Sequence, residues 1–140
     1  MPGRGGHYAE DIAHLRDWKP ALVVSMVSAS ELGALGGADL GGDIQDMGTR
    51  WAHVPVADMD TPDPDAEEAW HIASNAALGA LQGRDRVLIH CMGGCGRSGM
   101  AALRLMIEAG EAPDAALARL RAIRPCAVET EAQMIWARRG

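Results

Sequence analysis

Arg86-Val87-Leu88-Ile89-His90-Cys91-Met92-Gly93-Gly94-Cys95-Gly96-Arg97-Ser98 is the stretch on which the fold turns. Arg86 to His90 carries an apolar centre and reads as a strand, and the next residues are rich in glycine. Beyond Ser98, Met100, Leu103, Met106 and Ile107 recur at helical spacing as an inward face. A strand that passes through a glycine loop into a helix aims backbone N–H groups and the positive end of the helix dipole at one place. Such a place binds anions, and phosphate is its natural occupant. The loop adds a thiol at its first position and a guanidinium at its last. Arg97 is planar, permanently charged and able to grip two phosphate oxygens. The same surroundings are expected to hold Cys91 as a thiolate, against a free-cysteine pKa of about 8.5.

Working outward, residues 21–27 (Ala-Leu-Val-Val-Ser-Met-Val) form a nearly continuous apolar run that suits a strand buried on both faces. Ser28-Ala29-Ser30-Glu31 follows as a capping box for a short helix ending at Gly36-Gly37. A further strand is expected over Trp51 to Val56. After an acidic loop a helix begins with Asp63 as N-cap and Pro64 in its first turn, with Ala69, Ile72, Ala73, Ala76 and Ala80 as its apolar stripe. Two helices complete the chain, one running from Pro113-Asp114 to Pro125 and one opened by Thr130 and Gln133. Strands alternating with helices predict an α/β fold: a single three-layer domain over residues 1–140, with a small, mainly parallel sheet covered by helices on both faces.

Composition agrees with one soluble domain. The 140 residues are 48% hydrophobic and 23% charged, without a repeat, a linker or an apolar run long enough to span a membrane. A formal charge of −6 argues against general affinity for nucleic acid or anionic lipid, so neither is an expected partner. The N-terminus has no apolar signal segment, which makes a reducing cytoplasm the expected compartment. Structural disulfides are then not expected among Cys91, Cys95 and Cys126, and the pair four apart in the glycine loop points to reactivity.

The loop resembles the signature His-Cys-x5-Arg-Ser of the cysteine-based tyrosine and dual-specificity phosphatases. The stretch from His53 to about Trp136 is similar to the compact kinase-associated-phosphatase-like branch, particularly at Pro55-Val56-Ala57-Asp58 and Thr61-Pro62-Asp63. The resemblance implies a hydrolase that acts through a phosphocysteine at Cys91. Arg97 and the loop N–H groups of Met92, Gly93, Gly94, Cys95 and Gly96 would bind phosphate. Ser98 would stabilise the departing thiolate, and His90 would shape the loop and lower the thiol pKa. No metal or other cofactor is implied. Local physics accounts for Asp63 as a cap and Asp65 as a first-turn acid, leaving Asp58 and Asp60 as candidates for the general acid. The family pattern selects Asp58. Gln133 sits where relatives place a water-orienting glutamine and is equally a capping-box residue. Glu129 stands near a position where the branch often has Gln.

The expected partner is a phosphorylated protein or a small phosphate monoester. The loop carries no basic residue besides Arg97, whereas loops that serve highly phosphorylated inositol lipids tend to be basic, so a phosphorylated protein is favoured; phosphotyrosine leads over phosphoserine and phosphothreonine because an aryl oxygen leaves more readily. Two rival readings are a phosphate-recognition module without turnover and a thiol-dependent arsenate reductase or sulfurtransferase. Cys95 stands where relatives usually carry a branched aliphatic residue; packing is the first reading of it, and a reversible disulfide that protects Cys91 from over-oxidation is the second. Relatives carry one or two strands before the segment equivalent to Pro2-Gly3. Without them the sheet would be smaller than five strands, and its open edge could support a dimer.

Overall fold

The computed structural model describes residues 1–34 and 36–140, and Leu35 lies outside the described residues. Along the chain run α1 (Tyr8–Trp18), β1 (Leu22–Ser25), α2 (Ala29–Ala34), α3 (Leu40–Asp46), β2 (Arg50–His53), α4 (Pro64–Gln82), β3 (Val87–His90), α5 (Gly96–Glu108), α6 (Pro113–Ile123) and α7 (Glu131–Ala137). Among the described residues the sheet has three parallel strands in the order β2-β1-β3. This is the small parallel sheet that the sequence predicts, with each strand one to three residues shorter than its apolar run.

All four residues of β1 are buried. Successive side chains of a strand point to opposite faces, so both faces of the sheet are covered, the setting in which a near-continuous apolar run is stable. Helices α4 and α5 pack on the sheet, and α6 and α7 pack on α5. Register places Ser25 of β1 between His53 of β2 and His90 of β3. The C-terminal ends of all three strands therefore open at one edge, and the loops that follow them meet there. In open parallel sheets this is where ligands bind.

Caps fix the helix starts. Asp63 accepts a hydrogen bond from the Ala66 N–H at 2.8 Å, with Pro64 opening α4. Ser28 and Glu31 close a reciprocal pair at 3.2 and 3.1 Å, and Thr130 and Gln133 form the capping box of α7. The end of α2 expected at Gly36-Gly37 falls beside Leu35; α2 is described to Ala34.

Several expectations need correction. Ile72 points to solvent at 60% exposure, whereas α4 turns Ala66, Trp70, Ala73 and Ala77 inward. Trp70 governs this rotation, because burying an indole removes more apolar area from water than burying Ile72 would. Helices α1 and α3 were not anticipated. Only Ile12 and Leu15 of α1 are buried, too few for a clear stripe, and α3 contains Gly41-Gly42, a pair that ordinarily marks a loop. Among the described residues no helix is long and apolar enough to cross a membrane, and no cluster of three or more His, Cys, Asp or Glu is placed to hold a metal ion.

Candidate active site

His90 ends β3, the loop 91–95 turns over the strand ends, and α5 starts at Gly96. Gly94 takes φ +74°, a left-handed conformation that an L side chain rarely adopts, and this lets the loop fold its N–H groups inward. At the centre of the curl lies Cys91, buried, with its sulfur 3.3 Å from the Ser98 hydroxyl. Burial pushes the Cys91 thiol up. Hydrogen bonds from the Ser98 hydroxyl and from the backbone N–H groups of Ser98, Gly94 and Cys95 outweigh that effect, and the net pKa lies below the ordinary value.

Arg97 is only 2% exposed. Nη1 donates to Glu31 Oε1 at 2.7 Å and to the Val56 carbonyl at 2.9 Å, and Nη2 donates to Glu31 Oε2 at 3.0 Å. Asp58 Oδ1 stands 3.6 Å from Nη2. A guanidinium has five N–H donors, and three are engaged here. The remaining Nη2 donor and the Nε donor lie along one edge of the fork, the geometry that matches two oxygens of a phosphate. Glu31 is the site residue that sequence reasoning missed, since its fit to a capping box already accounted for it. The bond to Arg97 holds its carboxyl well below the usual range, at about 2, against the opposing effect of burial. It thus serves both the start of α2 and the buried cation.

Asp58 lies in the loop after β2 with its side chain 74% exposed, accepting a hydrogen bond from the Met59 N–H. Of the four acids in that loop it is the one paired with Arg97. Asp63 is spent on its cap, and the Asp60 carboxylate accepts from the Thr61 N–H. Gln133 is fully buried. Its Oε1 accepts from the Glu129 and Thr130 N–H groups while Nε2 donates to the Asp60 carbonyl at 3.2 Å. A Cβ on Gly96 would come within 2.9 Å of Gln133 and 2.8 Å of Glu129, so both side chains stand directly against the start of α5 where the loop 91–95 ends.

His90 is buried at the end of β3 with both ring nitrogens partnered. Its Nδ1 faces the Cys91 carbonyl at 3.3 Å, not the thiol, and its Nε2 is 2.5 Å from the Ser25 hydroxyl. Burial pushes the imidazole down to about 4, so it is neutral at physiological pH. A carbonyl can only accept, which makes Nδ1 the protonated nitrogen. Nε2 then accepts from Ser25, whose oxygen in turn accepts from Trp51 Nε1–H at 2.9 Å. This chain of hydrogen bonds ties the end of β3, where the loop begins, to β1 and β2. Ser25 is the lone polar residue of an apolar strand, the signal that such a partner was needed.

The cysteines differ from expectation. Cys95 is bonded to Cys126 (S–S 2.11 Å), leaving Cys91 as the free thiol, so the reading of Cys95 as a partner for Cys91 is corrected. Spacing four apart suggested the Cys91 pair, yet Cys126 approaches from the α6–α7 connection, a contact that linear spacing cannot reveal. Likewise, the loop lacks basic residues besides Arg97, but Arg4 and Arg124 reach it from elsewhere, donating to the carbonyls of Met92 (3.2 Å) and of Gly93 and Gly94 (2.8 and 2.9 Å).

Comparison with known proteins places this arrangement. A family model described as cyclin-dependent kinase inhibitor 3 (CDKN3) matches residues 10–117. Among solved structures, kinase associated phosphatase with its catalytic cysteine replaced by serine superposes with a TM-score of 0.85 at 24% identity, covering 98% of this chain and 80% of that one. The phosphatase Tk-PTP in its active form gives 0.75 at 28% identity, covering 99% and 86%. PTPMT1 in complex with PI(5)P gives 0.78 at 18% identity over 93% and 82%, a likeness of fold. No curated protein sequence matches. The chain belongs to the cyclin-dependent kinase inhibitor 3 family, within the cysteine-based tyrosine and dual-specificity phosphatases.

Proposed function

We infer that the chain hydrolyses phosphate monoesters, protein phosphotyrosine before phosphoserine or phosphothreonine, through a phosphocysteine at Cys91. The observation that carries this reading is the convergence on one sulfur of the Ser98 hydroxyl and three backbone N–H groups, beside a buried Arg97 with two donors to spare. Phosphate seated on the loop N–H groups from Met92 to Arg97 and on the free edge of Arg97 would present phosphorus to the Cys91 thiolate. The sulfur attacks, the P–O bond breaks, and Asp58 delivers its proton to the leaving oxygen. The Asp58 carboxylate then takes a proton from a water that attacks the phosphocysteine. Inorganic phosphate departs while Ser98 stabilises the returning thiolate.

Gln133 holds the Asp58 loop to α7 through the Asp60 carbonyl, and its place against Gly96 also suits orienting the attacking water. An aryl oxygen leaves more readily than an alkyl oxygen, and this favours phosphotyrosine. The Cys95–Cys126 pair supports one rival, a thiol-dependent arsenate reductase, which needs accessory thiols. The test is hydrolysis of an aryl phosphate and of phosphopeptides with each of the three acceptor residues, run beside thiol-dependent loss of arsenate. Preferential turnover of the tyrosine peptide supports the proposal, and arsenate reduction without phosphatase activity would replace it.

A further inference from the structure

The connection from α6 to α7 touches the phosphate loop at three successive points. Arg124, at the C-terminal end of α6, donates from Nη2 to the Gly93 carbonyl at 2.8 Å and from Nε to the Gly94 carbonyl at 2.9 Å. Cys126 is covalently joined to Cys95, and the Val128 N–H donates to the Cys95 carbonyl at 3.3 Å. Arg121 braces the connection from α6 through the Ala127 and Val128 carbonyls at 3.0 and 3.2 Å. The three loop peptides that receive these contacts are those of Gly93, Gly94 and Cys95.

A peptide plane that points its carbonyl outward to Arg124 must point the N–H on its other side inward, because the two groups are antiparallel across the planar unit. The Gly93 carbonyl shares a plane with the Gly94 N–H, and the Gly94 carbonyl with the Cys95 N–H. Those are two of the N–H groups that hydrogen-bond the Cys91 sulfur. With two glycines in succession the loop has little intrinsic preference for this orientation, so an external hold decides it.

We propose that residues 124–128 are a positioning strap for the phosphate loop, in which Arg124 aligns the Gly93 and Gly94 peptides and the Cys95–Cys126 disulfide ties the strap down. This rests on the phosphatase reading of the loop. The strap contacts neither phosphate nor Cys91. It acts through peptide orientation, so it governs anion affinity before it governs fold stability. Both Arg124 and Cys126 are exposed, and the disulfide is open to small thiols. Reduction by a dithiol such as dithiothreitol breaks the S–S bond and puts a proton and an electron on each sulfur, while the reductant closes to its cyclic disulfide. The tied form is the one in which Cys91 is poised, so reduction loosens the loop.

The test measures kcat, KM for an aryl phosphate and Ki for inorganic phosphate, anaerobically with chelator. The proteins are the oxidised and dithiothreitol-reduced wild type, Arg124→Ala, Arg124→Lys and Cys126→Ser. Arg124→Ala is expected to raise Ki and KM about fivefold, the effect of roughly one net hydrogen bond, with kcat changed less and melting temperature little moved. Arg124→Lys, a single-point donor, should recover part of the loss. Reduction of wild type should raise Ki in the same direction, and Cys126→Ser should match reduced wild type and ignore reductant. If Ki stays within about twofold of oxidised wild type, either on reduction or in Arg124→Ala, the strap does not position the loop. Should wild type fail to turn over, the phosphatase reading falls, and the dissociation constant of inorganic phosphate, measured calorimetrically on the same proteins, decides the strap by the same criterion.

Discussion

Replacing Glu31 by Gln removes the carboxylate that pairs with Arg97 while keeping the size of the side chain and one acceptor. Arg97 is nearly fully buried, and its two bonds to Glu31 are 2.7 and 3.0 Å long. The Glu31 pKa lies at about 2 in the folded protein against 4.5 for the free group. At roughly 1.4 kcal/mol per pH unit that gap corresponds to an upper value of about 3 kcal/mol. The Glu31 side chain is 24% exposed, so solvent screens part of this, and the retained amide acceptor restores some. The expected loss is about 2 kcal/mol near pH 7, or about 6 °C in Tm for a domain of this size. Because the folded pKa is depressed, the stabilisation is complete above pH 4.5 and fades as pH falls towards 2, so wild type and Glu31→Gln should converge in acid. Function should suffer independently. With its inner edge unpinned, the Arg97 fork must be ordered by the ligand, and that entropy should raise the Ki for inorganic phosphate about tenfold. Thermal melts at pH 7 and pH 3 together with phosphate inhibition measure both parts. A variant that melts within about 2 °C of wild type at pH 7, or that binds phosphate more tightly, would refute the assignment of Glu31 as the residue holding Arg97.

Three further outcomes follow from the same geometry. His90 has a folded pKa of about 4 against 6.5 unfolded, so the unfolded chain binds the extra proton first; stability is full above pH 6.5 and declines by about 3 kcal/mol as pH falls to 4, and in denaturant titrations across that range His90→Asn should flatten this slope. Gly99→Ala would put a Cβ 2.7 Å from the Val128 nitrogen and 2.9 Å from the Ala127 Cα, both backbone atoms, so it should cost about 3 kcal/mol in urea unfolding, and an unchanged midpoint would contradict the packing of α5 against that connection. Asp58→Asn should lower kcat for an aryl phosphate by about 10²–10⁴ with little change in Tm, the side chain being exposed.

How far the sequence could be read depended on how local each signal was. The strand-loop-helix unit around Cys91 was legible because its parts are contiguous, and the caps at Asp63 and Thr130 because each needs only three residues. Asp58 could be separated from Asp63 and Asp65 by capping physics, but choosing it over Asp60 required the family pattern. The pairings that span the chain stayed hidden. Glu31 is 66 residues from Arg97, and Cys126 is 31 from Cys95. The Ser25 hydroxyl joins Trp51 to His90 only because parallel register sets β1 between its neighbours. Such contacts are products of topology, and residue type alone announces only that a buried polar group needs a partner. Rotation of α4 misled for another reason. Small alanines mark a helical face weakly, and Trp70 set the inward side over Ile72.

The most direct measurement is hydrolysis of a small aryl phosphate in the presence of chelator by wild type, Cys91→Ser and Asp58→Asn, each first shown to be folded. The account predicts turnover by wild type, none by Cys91→Ser, and strongly reduced turnover by Asp58→Asn. Wild-type turnover that survives Cys91→Ser would contradict a phosphocysteine mechanism, and folded wild type that binds phosphate without turnover would make the loop a recognition module instead.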